Sequence, residues 1–330
     1  MNRINPKTRS IAVRAAVLLF VFTVGVALAT SGDAWATRRL LPKSANAVDP
    51  TNISACGTYS ASNTIYVLTG DINTTSTGTC ITLSGDDTTL TLQGFNITYT
   101  GGGTQTGDGI LVSSSANEDV IEGGGGTVSG FAVGILDQGS NTVGDAVEMT
   151  ENGIGLELNG GSTMIWSNVD AVENTKQGIY INHCSDECGV TDFAASNNGG
   201  DGVLITNSQG PRMNVFVAED NGGAGIHVGC TSGCGTNSEV KVGDAVNDVP
   251  SVTGNKGDGI FVDASESTTK DQIYLIAASG NGVTSGYDMH DASSTCGDNH
   301  WVTNDWATAK VGSTTYTSGS PPACIPYIAF

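Results

Sequence analysis

One phrase recurs through most of this chain: a glycine, an aliphatic residue, a variable residue and a second aliphatic residue. Successive copies begin 25, 21, 23, 24, 23 and 34 residues apart. A period of this length is typical of a solenoid, whose units are too short to bury an apolar face except against their neighbours. The copies begin at Gly109, Gly134, Gly155, Gly178, Gly202, Gly225 and Gly259, the second having Asp137 in place of the last aliphatic residue.

Two further features recur with the same period. A second apolar run follows most copies, for example around Trp166 and Phe216, and an asparagine stands just before the next glycine phrase. In stacked coils these asparagines would lie about 4.8 Å apart, so their amides can bond to each other and tolerate a left-handed turn conformation. The predicted ladder contains Asn152, Asn174, Asn198, Asn221, Asn255 and Asn281.

Short alternating runs bounded by Gly, Asn and Asp indicate strands and turns, with no amphipathic helical run after the first 36 residues. The repeats resemble the right-handed parallel β-helix family, which is shared by pectate lyases, polygalacturonases and many uncharacterised secreted bacterial repeat proteins. The resemblance implies an all-β, single-domain solenoid with N- and C-terminal caps. The predicted segments are a signal peptide (1–36), an N-terminal tail (37–55), a cap with the first coils (56–106), the repeats (107–283) and a C-terminal coil and cap (284–330).

The first 36 residues have the pattern of an export signal. Basic residues precede an apolar run from Ala15 to Ala29, and Ala34 and Ala36 are the small residues that a cleavage site requires. We expect cleavage after Ala36 and a secreted, cell-surface or periplasmic protein. The alternative is a retained membrane anchor, for which the run is short. No later segment is apolar enough to span a bilayer.

The charge of the chain narrows the range of partners. The formal net charge is −20, from 13 basic and 33 acidic residues. Removal of the signal peptide takes away four bases and one acid, which leaves 9 − 32 = −23. Such a surface repels nucleic acid and anionic lipid and would attract divalent cations or basic partners.

All eight cysteines follow the signal peptide, and an even number in an exported chain predicts disulfides. Zinc bound by the two C-x3-C pairs is the alternative, but a cysteine-free coil lies between them, so their loops would be about 10 Å apart. Proximity in sequence suggests Cys56 with Cys80, Cys184 with Cys188, Cys230 with Cys234, and Cys296 with Cys324.

The signatures of polysaccharide-active β-helix enzymes are incomplete. Gly-His-Gly and Arg-Ile-Lys, typical of polygalacturonases, are absent, and Asp86 and Asp87 fit a turn. Arg212 is the only arginine in the repeats, which is a poor match to pectate lyases. The run from Asp288 to Asp291 resembles the Asp-Pro-His-Asp of alginate epimerases but lacks the proline and lies in the terminal coil. We therefore predict no catalytic residue and leave enzymatic activity open.

The coil geometry predicts a binding stripe instead. The variable residue of each phrase should point outward, so Tyr180, His227 and Phe261 would form a semi-apolar row edged with amides and hydroxyls. The alternative is a ladder that only stabilises the stacked strands. Glu157 and Asp263 would be four coils apart, about 19 Å, too far for glycosidic hydrolysis. The predicted binding residues are Glu157, Tyr180, Asn182, Leu204, His227, Phe261 and Asp263.

Calcium is the cofactor that the acidic loops could hold. Asp108, Asp201 and Asp258 share one Gly-Asp-Gly position but not on neighbouring coils, whereas Asp244, Asp248 or Asp263 could form single loop sites. The leading hypothesis is a non-catalytic structural or adhesive β-helix that binds glycan or envelope polymer. The alternative is a polysaccharide lyase or glycoside hydrolase. A metal-dependent periplasmic accessory protein is disfavoured because His183, His227, His290 and His300 are scattered.

Overall fold

The computed structural model describes residues 49–103, 105–229, 237, 239–243, 249–266 and 270–328. Over these ranges the chain is a parallel β-solenoid, which confirms the fold predicted from the repeat. The signal peptide and most of the predicted tail lie outside the described ranges. Within them, no helix is long and apolar enough to cross a membrane.

The glycine phrases form one sheet, with 12 strands among the described residues. Each strand pairs in parallel with the equivalent strand of the next coil, except for the antiparallel hairpin of the last two. The strands are β2 (Gly57–Tyr59), β5 (Ile81–Leu83), β8 (Asp108–Val112), β10 (Val133–Asp137), β12 (Ile154–Asn159), β14 (Ile179–Asn182), β16 (Val203–Thr206), β18 (Ile226–Val228), β21 (Ile260–Val262), β24 (Met289–Asp291), β27 (Thr308–Val311) and β28 (Thr314–Thr317).

The second apolar runs form the other sheet, with 16 strands in the described part of the chain. A short 3-10 turn, Ala264–Glu266, follows the glycine-phrase strand Ile260–Val262 in the chain. The strands are β1 (Thr51–Ile53), β3 (Ile65–Leu68), β4 (Ile72–Thr74), β6 (Thr89–Thr91), β7 (Ile97–Tyr99), β9 (Val120–Ser129), β11 (Val143–Thr150), β13 (Ile165–Val172), β15 (Gly189–Ala194), β17 (Arg212–Glu219), β19 (Lys241–Val242), β20 (Ser251–Thr253), β22 (Gln272–Tyr274), β23 (Ala277–Ser279), β25 (His300–Val302) and β26 (Asp305–Trp306).

The core consists of rows of aliphatic side chains from successive coils. Ile179 of β14 pairs with Leu156 on one side and with Val203 on the other, and all three are fully buried. The residue between the two aliphatic positions of each phrase points outward, as alternation in a strand requires. One period of the sequence therefore places equivalent side chains on neighbouring strands.

The asparagine ladder is present, and its members are buried except Asn281, which is half-buried. Its first member, Asn152, donates its backbone N–H and not its amide to the Oδ1 of Asn174. The Nδ2 of Asn174 donates to the Oδ1 of Asn198 at 3.0 Å, and the Nδ2 of Asn198 donates to the Oδ1 of Asn221 at 3.0 Å. The same bond continues through Asn255 to Asn281 at 2.9 and 2.8 Å. Because every amide also donates to a core backbone carbonyl, the ladder satisfies polar groups that no water reaches.

A carboxylate terminates the ladder. The Oδ1 of Asp288 accepts from the Nδ2 of Asn281 at 3.0 Å, and its Oδ2 accepts from the backbone N–H groups of Ala307 and Thr308. One expectation was wrong: the ladder asparagines do not adopt the left-handed conformation. It falls on the residue before each of them, as at Glu173 (φ 58°) and Asn197 (φ 59°).

Asp137 replaces a core aliphatic residue and is fully buried. Its Oδ2 accepts from the indole Nε1 of Trp166 in the next coil at 3.0 Å, and its Oδ1 accepts from the backbone N–H of Gly139. Gly144 makes room for this indole, since a Cβ there would lie 2.1 Å from the ring of Trp166. Burial raises the pKa of Asp137 to about 7, against the hydrogen bonds that lower it.

Three predicted disulfides close parts of the solenoid: Cys56–Cys80, Cys184–Cys188 and Cys296–Cys324. Cys230 and Cys234 lie outside the described residues. At the N-terminus, β1 already pairs with β3, so the solenoid begins inside the segment predicted as a tail. At the C-terminus, Trp301 and Trp306 are buried and β28 folds back on β27.

Candidate functional site

The outer row of the 12-stranded sheet has the register that the repeat predicts. Glu157 pairs with Tyr180, Tyr180 with Leu204, Leu204 with His227, and His227 with Phe261. The row continues beyond the predicted stripe, because Phe261 pairs with His290 and His290 with Lys310. Asn182 lies in the adjacent row, between Asn159 and Thr206.

In the N-terminal half of this row, polar groups bond to each other. Asn159 donates to Glu157 at 2.8 Å, and burial is the main cause of the raised pKa of that carboxyl. The Tyr180 hydroxyl lies 3.1 Å from the Oγ1 of Thr206, which donates to the Oδ1 of Asn182 at 2.9 Å. These groups therefore have fewer free hydrogen-bonding positions for a ligand.

The C-terminal half carries four neighbouring rings, which we call the ring cluster: His227, Phe261, Tyr287 and His290. The centroid of Phe261 lies 4.8 Å from each of the two imidazole centroids, and that of Tyr287 lies 5.7 Å from His290. Phe261 thus has an imidazole on both sides. Because the two imidazoles, tilted by 42° and 36° to Phe261, flank it along the solenoid axis, they restrict the access of a sugar to its faces.

Each imidazole of the ring cluster is bonded to an aspartate of the preceding coil. The Nδ1 of His227 lies 3.2 Å from the Oδ2 of Asp201, and the Nδ1 of His290 lies 2.8 Å from the Oδ2 of Asp258. The other carboxylate oxygen of each aspartate accepts a backbone N–H, from Ala224 at 2.7 Å or Tyr287 at 2.6 Å.

The two imidazoles differ at Nε2. In His227 this atom is buried and has no hydrogen-bond partner. The two side chains are similarly exposed, 15% for His227 and 12% for His290, but the Nε2 of His290 is not enclosed, and no described residue bonds to it. The open nitrogen is therefore that of His290.

Lys310 and Tyr287 complete the site. The Nζ of Lys310 lies 5.4 Å from the ring centroid of Tyr287, within the range of a cation–π contact, and makes no salt bridge within the described ranges. The Tyr287 hydroxyl accepts a bond from the Oγ1 of Thr315 at 3.2 Å. The site thus carries a cation on a strongly acidic protein.

The remaining predicted acids have structural partners. Asp263 is only 9% exposed, and its Oδ1 accepts from the backbone N–H of Ser265 in the 3-10 turn. Asp244 and Asp248 lie outside the described residues. Of the epimerase-like run, Asp288 ends the asparagine ladder and Asp291 accepts from the indole of Trp301, so only His290 faces outward. The described residues contain no group of three or more metal-ligating side chains suited to a metal ion.

Reasoning from the sequence missed the aspartate–histidine pairs, although a signal was present. Asp201 and Asp258 occupy the Gly-x-Gly position of coils that each precede a coil with an outward histidine. The intervening coil has Ala224 at that position and is followed by Phe261. Each outward histidine thus has an aspartate at this position of the preceding coil, although the third such aspartate, Asp108, is followed by Leu136.

The fold has known structural counterparts. The A-module of the mannuronan C-5 epimerase AlgE6 from Azotobacter vinelandii matches with a TM-score of 0.56 and 16% identity, over 80% of this chain and 78% of the module. The Dettilon tailspike protein gp208 matches with a TM-score of 0.56 and 14% identity, over 78% of this chain and 53% of the tailspike. No family model and no curated protein matches the sequence. At these identities the likeness concerns the fold alone.

Proposed function

We propose that this protein is a secreted or cell-surface β-helix that binds a polysaccharide or envelope polymer at the ring cluster and Lys310, in a non-catalytic, adhesive role. The observation that carries the proposal is that three side chains with polar ends are neighbours on this face. The ring centroids of Tyr287 and His290 lie 5.7 Å apart, and the Nζ of Lys310 lies 5.4 Å from the centroid of Tyr287.

The chemistry of the ring cluster and Lys310 suits a hydroxylated ligand. The aspartates of the cluster are bonded to imidazole and backbone N–H groups, which reduces their repulsion of an incoming polymer. The outer row repeats about every 4.8 Å along the solenoid, so a polymer lying along it meets equivalent positions on successive coils. One of the fold counterparts is an epimerase of mannuronan, which supports a polysaccharide as the ligand.

The first prediction concerns retention on immobilised polysaccharides. The double variant His290→Ala/Lys310→Ala should bind the retained polysaccharide at least about tenfold more weakly, because it removes two polar contacts worth roughly 1 kcal/mol each. Thr82→Ala is the matched control, since Thr82 lies in the same outer row six coils away from the cluster. Equal binding by the double variant and the control would reject this site.

A second candidate function is chemistry on the same polymer by a lyase-type reaction. It is favoured by one observation: an imidazole bonded to a carboxylate and lying next to a tyrosine ring is an arrangement that can transfer protons. Incubation with neutral and acidic polysaccharides, scored for unsaturated and reducing ends, tests it. Products formed by the natural protein and not by His290→Ala would replace the binding role with a catalytic one.

A further inference from the structure

The aspartate–histidine pairs of the ring cluster share one geometry. In both, a single carboxylate uses Oδ1 for a backbone N–H of the next coil and Oδ2 for the Nδ1 of the outward histidine. In the Asp258 copy the two contacts are 2.6 and 2.8 Å. The same pair of bonds therefore occurs twice in this chain, two coils apart.

This geometry dictates where the imidazole proton lies. An ionised carboxylate only accepts hydrogen bonds, and the backbone N–H of Tyr287 is a fixed donor to Oδ1. A contact of 2.8 Å between Oδ2 and Nδ1 therefore requires the proton on Nδ1. In the neutral imidazole, Nε2 then carries a lone pair.

We propose that Asp258 is a positioning residue that holds His290 as the Nδ1–H tautomer, so that Nε2 accepts a hydrogen bond from a hydroxyl group of the bound polymer. The identity of the ligand rests on the function proposed above, whereas the tautomer does not. A neutral His290 selects a hydroxyl donor at this position, while Lys310, one coil further, supplies the donors for a ligand oxygen.

The positioning role is tested by the nitrogen resonances of the histidines. Long-range proton–nitrogen spectra of the full protein, recorded where the imidazoles are neutral, should show His290 protonated at Nδ1. In Asp258→Asn, the amide oxygen keeps the Tyr287 N–H and the amide nitrogen becomes a donor to Nδ1, so the proton should move to Nε2. Asp201→Asn should switch His227 and leave His290 unchanged.

The wild-type spectrum alone tests the assignment, even if a variant folds poorly. A His290 that is protonated at Nε2 in the natural protein, or that keeps its tautomer in Asp258→Asn, would overturn the positioning role.

The ligand part is tested by affinity for the polysaccharide retained in the binding panel. Asp258→Asn should weaken binding about tenfold, similar to His290→Ala, because a protonated Nε2 would face the hydroxyl donor of the ligand and could not accept its hydrogen bond. Asp192→Asn, which removes one exposed carboxylate from β15 in the other sheet, controls for the change in charge. Unchanged affinity with a switched tautomer would overturn the hydroxyl contact. A panel with no retained polysaccharide would overturn the proposed function, and the spectra would still decide the role of Asp258.

Discussion

Replacement of Asn198 by aspartate is expected to lower the free energy of unfolding by at least about 3 kcal/mol. The Nδ2 of Asn198 donates to the carbonyl of Ala171 and to the Oδ1 of Asn221, both at 3.0 Å, and the residue is 2% exposed. An isosteric carboxylate would place an oxygen against these two acceptors inside the core. Urea denaturation at neutral pH measures the loss.

The neighbouring residue provides the matched control. Asn197 is exposed, has a left-handed backbone that asparagine and aspartate both tolerate, and bonds through its backbone N–H to Glu219. Asn197→Asp should change stability by less than about 0.5 kcal/mol. The reverse change at the end of the ladder, Asp288→Asn, should also destabilise, because an amide NH2 group would face the N–H donors of Ala307 and Thr308. Similar stabilities of the Asn197 and Asn198 variants would contradict the role of the ladder.

Raising the pH from 5 to 8 is expected to destabilise this protein, in contrast to proteins whose carboxylates are stabilised by salt bridges. Burial raises the pKa of Asp137 to about 7, of Glu266 to about 7 and of Asp119 to about 6. A pKa that is higher in the folded chain favours folding below the unfolded value near 4, and this contribution is lost as the pH rises through the folded pKa. For fully buried Asp137, the pKa change corresponds to about 4 kcal/mol at most.

Unfolding free energies at pH 5, 6, 7 and 8 test this expectation. The double variant Asp137→Val/Trp166→Phe removes both partners of the buried bond and should flatten the slope, whatever its absolute stability. Valine suits the position because Val112 occupies it in the preceding coil. Asp192→Asn should keep the slope, since this carboxylate is exposed. A stability that rises with pH in the natural protein would show that these carboxyls are not held in the protonated form.

The period of the glycine phrase was sufficient to predict the fold and the outer row. A repeat fixes which residues become neighbours on adjacent strands, so Tyr180 next to Leu204 and His227 next to Phe261 followed from counting. The ladder partners followed in the same way. The left-handed residues did not, because the turn requires that conformation one position before the asparagine, where residues as different as Glu151 and Gly254 stand.

The repeat period does not predict contacts between side chains of different rows. Asp201 and His227 are 26 residues apart, whereas Asp258 and His290 are 32 apart, because the coils between them differ in length. Two equivalent pairs therefore share no common spacing in the sequence. The inward role of Asp291 depends on an indole ten residues later, in an irregular terminal coil where the repeat no longer guides prediction.

The asparagine ladder has a direction, since each amide from Asn174 to Asn255 donates to the amide oxygen of the next coil and the amide of Asn281 donates to Asp288. If an interior coil were duplicated, its asparagine amide could donate to the amide oxygen of the following coil and accept from the amide of the preceding coil. Asp288 ends this series, because a carboxylate has no side-chain N–H to donate and instead accepts from the backbone N–H groups of Ala307 and Thr308 in the following coil. The ladder thus ends at a single change from amide to acid, one coil before β27, which forms the last parallel strand pair with β24, and interior coils could be duplicated without altering this end.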